Sequence, residues 1–280
     1  MSKLCIMVAP NGARRTKDDH PLLPITPEEL ASAAHACRMA GAGAIHLHVR
    51  DGNQRHSLDA QIYRSAIEAI IQACPDITIQ TTTEAAGIFD LDEQIASVKA
   101  LRPSCLSFSL GELMRDGQPR GEEFLKWAAS EGIAIQFILY DAGQITEFAH
   151  LWRAGALHLA TMPRIIVVAG RYSSTQDSQL EDFDSLYEAL VVNGLHDSTI
   201  WMTCAFGRGE MACLEKTIEL GGHVRVGFEN AIVDADGKLA RDNAERVAMI
   251  AALAAKRGRK IASPQEAADI LGRRVHSPLL

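Results

Sequence analysis

Long apolar runs are missing from this chain of 280 residues: none approaches the roughly 20 consecutive apolar positions that cross a bilayer. The opening stretch, Met1-Ser2-Lys3-Leu4-Cys5-Ile6-Met7-Val8, holds too short an apolar run for a secretory signal. These two absences point to a soluble, cytoplasmic protein. An excess of positive charge is missing too. Lys and Arg number 28 against 35 Asp and Glu, a net charge of −7, and no basic stretch is interleaved with aromatics, which argues against a nucleic-acid partner. The densest basic run, Lys256-Arg257-Gly258-Arg259-Lys260, closes a predicted helix, where positive charge favours the negative end of the helix dipole; a capping role is expected of it. Paired cysteines are also lacking. Cys5, Cys37, Cys74, Cys105, Cys204 and Cys213 form no CxxC motif, and Cys5 and Cys105 lie in apolar runs. Structural thiols in a reducing compartment are expected. No linker and no low-complexity segment divides the chain.

What is present is a regular alternation. Short apolar, β-branched runs occur at 4–9, 44–49, 77–82, 105–109, 133–139, 165–169, 199–203 and 223–227. The first is followed by Thr26-Pro27-Glu28-Glu29, in which Thr26 can cap a helix, Pro27 suits its first position and Glu29 completes a capping box; that helix runs to about Met39 and stops at Gly41. The other runs precede predicted helices at 59–73, 91–101, 121–131, 144–153, 179–192, 210–220 and 242–257. Strands alternating with helices imply parallel pairing, because each helix returns the chain to the same edge. Eight such units without a break in composition predict a closed (β/α)8 TIM barrel rather than a doubly wound sheet. The barrel is expected over residues 1–260. A helical extension at 261–280, starting at Ser263-Pro264-Gln265-Glu266, is expected to pack on the barrel or on a neighbouring subunit.

In such a barrel the chemistry lies at the carboxyl ends of the strands. The segments there are polar: Asn11-Gly12-Ala13-Arg14-Arg15, His46-Leu47-His48-Val49-Arg50-Asp51, Gln80-Thr81-Thr82-Thr83-Glu84, Ser107-Phe108-Ser109, Cys204-Ala205-Phe206-Gly207-Arg208 and Arg225-Val226-Gly227-Phe228-Glu229-Asn230. His46 and His48 are two apart on a strand, so both imidazoles face the barrel interior while Leu47 faces the helices. Two buried imidazoles need a ligand or a hydrogen-bond partner, and the spacing points to a divalent metal such as zinc. A third ligand is required; Glu229 is the best placed carboxylate, with Asp51 and Glu84 as competitors. Arg225 cannot accept a proton at ordinary pH and is expected to bind an anion or to orient a neighbour. Thr82, Ser107 and Ser109 supply hydroxyls suited to the oxygens of an enolate or thioester. Asn11, Arg14, Ser109 and Glu84 are read as substrate contacts, with Arg14 and Arg15 reaching for a second carboxylate on the substrate.

The strings Leu23-Pro24-Ile25-Thr26-Pro27-Glu28-Glu29, Ala40-Gly41-Ala42-Gly43-Ala44 leading into His46-Leu47-His48-Val49-Arg50-Asp51, and Gly221-Gly222-His223-Val224-Arg225-Val226-Gly227-Phe228-Glu229 make the chain resemble the β-keto acid cleavage enzymes, over nearly its whole length. The resemblance implies a TIM barrel with zinc held by His46, His48 and Glu229, and a homotetramer. It implies condensation of a β-keto acid with acetyl-CoA as co-substrate, followed by retro-Claisen release of acetoacetate and a new acyl-CoA. It also implies that Thr82 and Ser107 bind the reacting oxygens and that Arg225 acts with the residue after the glutamate to move the proton. One departure stands out. The family pattern has aspartate after the metal-binding glutamate, and here that position is Asn230, whose amide cannot be a general base. Another carboxylate such as Asp51 or Glu84 can substitute, a water can act as base, or the reaction differs; retained acyl transfer is the expectation. Two rivals are a metal-dependent hydrolase or lyase on the same barrel and a non-catalytic, metal-retaining ligand-binding barrel. Amidohydrolases carry HxH on strand one with further histidines on strands five and six, whereas here HxH is on strand two and the fifth strand ends in Tyr140-Asp141.

Overall fold

The computed structural model describes residues 2–171 and 177–273. Ten strands occur among these residues: β1 (Ile6–Val8), β2 (Ala44–Leu47), β3 (Val49–Arg50), β4 (His56–Ser57), β5 (Thr78–Thr82), β6 (Cys105–Ser109), β7 (Ala134–Leu139), β8 (Arg164–Ala169), β9 (Ile200–Ala205) and β10 (His223–Val226). All but β3 and β4 are parallel and close a barrel, with β1 paired to both β2 and β10. Helices return the chain between them: α1 (Pro27–Ala40), α2 (Ala60–Ala73), α3 (Leu91–Leu101), the short α4 (Leu110–Leu113), α5 (Gln118–Ser130), α6 (Ala142–Arg153), α7 (Leu180–Val192), α8 (Glu210–Glu219) and α9 (Asn243–Lys256). The eight-unit expectation therefore holds. None of the described helices is long and apolar enough to cross a membrane.

Local chemistry explains the helix starts. Thr26 accepts from the Glu29 N–H while Glu29 reaches back to the Thr26 N–H, the capping box read from the sequence. Asp90 with Glu93 repeats the device at α3. Helix α6 begins at Ala142, two residues earlier than expected, because Asp141 caps it by accepting from the Gln144 N–H. The second strand is shorter than expected. It leaves the barrel wall after Leu47, because Val49 and Arg50 pair instead with Ser57 and His56 in a small antiparallel hairpin.

The barrel wall has two apolar faces. Outward residues such as Ile6, Val8, Ile45 and Leu47 pack beneath the helices, and inward ones such as Cys5, Met7, Cys105, Ile138 and Met202 fill the lumen. At the amino ends of the strands α10 (Pro264–Leu271) closes the floor, with Ala267 and Leu271 joining the lumenal cluster. Gly43 makes this approach possible, since a Cβ there would lie 2.5 Å from the Ala267 methyl. The segment expected as an extension thus packs on its own barrel as far as described; residues 274–280 lie outside the described residues. The basic run closes α9, with Lys256 in its last turn and Arg257 after it, and also serves the neighbouring helix: Arg259 donates to the carbonyls of Ile218, Gly221 and Gly222 at the end of α8, and Arg257 pairs with Glu215 and Glu219. All six cysteines are buried and unbridged.

Candidate metal and active site

His46 projects into the mouth from β2, and His48 follows one residue beyond the strand, both fully buried. Their Nε2 atoms lie 3.2 Å apart. Glu229 arrives from the turn after β10 and sets Oε2 3.6 Å from His46 Nε2 and 3.5 Å from His48 Nε2. That turn is pinned by backbone contacts. The Glu229 N–H donates to Ala9 O, and Asn243 accepts from the Phe228 N–H while donating to Pro10 O. Gly12, at φ +65°, lets the loop after β1 lie against Glu229, where a Cβ would sit 2.5 Å from its Cγ.

Electrostatics keep these groups ready to bind a cation. Burial would raise the Glu229 carboxyl, but the adjacent charge of Arg225 outweighs it and holds it well below the usual carboxylate range. Arg225 does so directly, donating to Glu229 Oε1 at 2.9 Å and to Cys204 Sγ. Burial first, and then the charge of Arg225, push His46 down to about 3, so its imidazole is neutral at ordinary pH. Glu229 Oε2 has no hydrogen-bond partner among the described residues. Three ligand atoms of His46, His48 and Glu229 fall within 4.8 Å of one another. The neutral His46 imidazole, the buried His48 ring beside it and an ionised carboxylate with an oxygen aimed between them fit a divalent ion of the zinc type.

Beside this cluster a cavity of about 230 Å³ opens to the outside, lined by Asn11, Arg14, Arg15, Glu84, Arg171 and Glu229 among others. A smaller one, about 20 Å³, lies deeper against His46, Thr82, Tyr140 and Arg225, and the two share Glu84, Arg171, Phe206 and Glu229.

The sequence profile described as beta-keto acid cleavage enzyme matches residues 3–272. The chain belongs to the β-keto acid cleavage enzyme family. A 3-keto-5-aminohexanoate cleavage enzyme of Fusobacterium nucleatum is 30% identical over 277 residues, covering 97% of this chain and 98% of the relative. A 3-oxoadipate:acetyl-CoA acetyltransferase of Cupriavidus necator is 28% identical over 286 residues, covering 97% and 96%. Among solved structures, apo ObcA superposes with a TM-score of 0.70 at 19% identity over 90% of this chain and 66% of ObcA, a likeness of fold.

Within this member of the β-keto acid cleavage enzyme family the remaining sequence candidates divide. Glu84 faces the ligand cluster, with Oε2 3.8 Å from His48 Nε2 and Oε1 accepting from Arg171 at 2.9 Å. Asp51 does not: it turns back to bind the N–H groups of Asn53 and Arg55 and the Arg55 side chain, so it drops out both as ligand and as base. Thr82 lines the deeper cavity and accepts from the Glu84 N–H. Ser107 is buried on β6 and donates to Thr81 O, while Ser109 caps α4 by accepting from the Glu112 N–H. Neither serine lines the two cavities. Asn11 donates to Pro24 O and His48 O, and its Oδ1 has no partner among the described residues. Asn230 is wholly buried, and neither its Oδ1 nor its Nδ2 has a partner among the described residues. Its carbonyl accepts from Gly207 and Arg15.

Several contributors were not singled out from the sequence. Arg171, after β8, joins Glu84 and lies over the Phe206 ring at 5.1 Å. The rule that strand ends carry chemistry points to it, because it is the first charge after an apolar strand. Gln80 holds His46 Nδ1 at 2.8 Å. Arg50 donates to Gly12 O and Arg15 O and so fixes the loop that carries the arginines.

Proposed function

We propose that this protein takes a β-keto acid and acetyl-CoA to acetoacetate and a new acyl-CoA, with a divalent ion, zinc by its donor set, held by His46, His48 and Glu229. The convergence of these three side chains in a member of this family carries the reading. When bound, such an ion supplies Lewis acidity toward a keto oxygen and so acidifies the adjacent methylene. In the overall exchange the acetyl group leaves the CoA sulfur for that methylene carbon, the original acyl group leaves the carbon for the sulfur, and the methylene proton removed at the start is returned at the end. Arg225 keeps Glu229 ionised and fixed in place. Thr82, in the deeper cavity, is suited to donate to a reacting oxygen. Of the two carboxylates weighed as substitutes for the missing aspartate, Glu84 lines both cavities, and we assign it the proton.

The outer cavity brings Arg14, Arg15 and Arg171 against the carboxylates of Asp19, Glu84 and Glu229. A divalent ion tips that balance to net positive, which suits a β-keto acid carrying a second carboxylate. The 3-oxoadipate named for the C. necator relative is an acid of this kind. The buried, unbridged cysteines support a cytoplasmic home. The homotetramer rests on the family resemblance, and light scattering of the purified protein tests it. For the activity, zinc-loaded protein is incubated with acetyl-CoA and a panel of β-keto acids. Acetoacetate from a dicarboxylic member is the expected result, and none from any member with metal bound returns the reading to a ligand-binding barrel.

A further inference from the structure

His46 and His48 lie two residues apart, yet their outer nitrogens are held differently. His48 Nδ1 has no partner among the described residues, whereas His46 Nδ1 meets Gln80 Oε1 at 2.8 Å. Gln80 continues across the lumen, its Nε2 donating to Gln136 Oε1 at 3.0 Å, and Gln136 Nε2 in turn donates to the sulfur of Met202 at 3.9 Å. These four side chains come from β2, β5, β7 and β9 and are all at most 2% exposed.

The polarity of the chain follows from its far end. A thioether has no proton to give, so Met202 can only accept, and Gln136 must turn its NH2 toward the sulfur. That places the Gln136 oxygen toward Gln80. Gln80 must then offer its own NH2 to that oxygen and its carbonyl to His46. A carbonyl also only accepts, so His46 must carry its hydrogen on Nδ1. Nε2 is thereby left as a bare electron pair, facing Glu229 and His48.

We propose that Gln136 and Met202 are positioning residues: by fixing the direction of this amide chain they hold His46 in the Nδ1–H tautomer whose Nε2 can bind a metal. The consequence for metal affinity rests on the metal reading given above, but the tautomer does not. A hydrogen-bond partner on the outer nitrogen commonly fixes the tautomer of a metal-binding histidine. What is specific here is that the partner's orientation is decided two side chains away, on the far side of the barrel.

Long-range 1H–15N correlation of the imidazoles in 15N-labelled, metal-free protein tests this, with the His46 signals assigned by their loss in His46→Gln. The expected wild-type result is a pyrrole-type Nδ1 and a pyridine-type Nε2 at neutral pH; the opposite pattern overturns the proposal without recourse to any variant. Gln136→Leu removes both the acceptor and the donor and leaves the Gln80 NH2 only its 4.0 Å contact with the Cys105 sulfur, a thiol that can accept or donate and so does not set the amide's direction; it should give mixed tautomers. Its zinc affinity, read by competition with a chromogenic chelator, should fall at least about tenfold, within the range of other outer-sphere changes. Gln136→Glu keeps an acceptor oxygen for Gln80 and should retain the wild-type tautomer. A Gln136→Leu protein with a pure Nδ1–H signal would refute the relay. Should wild-type protein show the expected tautomer and bind zinc but make no acetoacetate, the proposed reaction fails and the relay stands.

Discussion

At the floor of the barrel His223 accepts from the Cys5 N–H, and Arg259 spends its guanidinium on the carbonyls of Ser2, Ile218, Gly221 and Gly222. At the mouth, Asn230 and His48 are as deeply placed and Glu229 is mostly covered, yet each keeps a buried polar atom without a partner among the described residues. Thr78, low on β5, is an exception at the floor, its hydroxyl also lacking a partner among the described residues. A buried polar atom left unsatisfied costs on the order of 1–3 kcal/mol, so a cluster of them is tolerated where something else completes it. The contrast separates polar residues used by the chain to close its own fold from those held open for a ligand. Burial alone does not make that distinction. The partner list does.

The strongest way to break the contrast is to remove the charge on which the mouth converges. Glu229→Gln leaves Arg225 without its carboxylate and removes the anion that both imidazoles face, with only Glu84 left beside His48. Acetoacetate formation should fall to background, and zinc affinity by more than the roughly hundredfold that bounds outer-sphere changes; retention of both would remove Glu229 from the ligand set. Glu84→Gln should keep the metal and lower kcat by about a hundredfold or more, the lower end for loss of a general base. An unchanged kcat would hand the proton to a water. Arg259→Met at the floor should do the reverse. It strips donors from the end of α8 and should cost about 3 kcal/mol of stability in a denaturant titration, with kcat of the folded protein unaltered.

The mouth and the floor differ in how far the sequence alone revealed them. The eight units were readable because short apolar runs alternate with helical stretches, the first opened by the Thr26–Glu29 capping box, and those signals act within a few residues. The ligand pair was readable for the same reason, because alternation along one strand sets both imidazoles on one face. The end of that strand was not. Val49 and Arg50 continue the pattern of a buried strand, and only their pairing with His56 and Ser57 takes them off the barrel. The relay from Met202 to His46 was hidden because it depends on register among strands far apart in sequence, and Arg259 because its carbonyls belong to a different helix. Glutamines and a methionine in apolar strands carry no local mark of such a contact.

Smaller effects sharpen the same line. Arg14→Ala, at the rim of the outer cavity, should raise KM for a dicarboxylic β-keto acid about tenfold, the loss of one charge-assisted hydrogen bond, and leave an uncharged one nearly unaffected. Equal rises for both would detach Arg14 from the distal carboxylate.

His223 gives the finest test, because its role at the floor is to stay neutral. Burial, and after it the charge of Arg259, push its imidazole down to about 3, and the neutral Nδ1 accepts from the Cys5 N–H. In the unfolded chain the same group titrates near its ordinary value, about 6.5. The folded pKa is therefore the lower of the two. The stability this histidine contributes is fully present above pH 6.5 and is lost as pH falls toward 3, at up to about 1.4 kcal/mol per pH unit. His46 and His56 are pushed down to about 3 as well and lose stability over the same interval, so the wild-type curve alone does not isolate the floor. His223→Asn does, because an amide oxygen can replace Nδ1 as acceptor and has no proton to take up. Urea titrations between pH 6.5 and 4 should show the variant losing stability less steeply than wild type by one histidine's share. Parallel curves would mean that His223 takes up its proton within the folded barrel, so that the floor tolerates a charge it was assigned here to exclude.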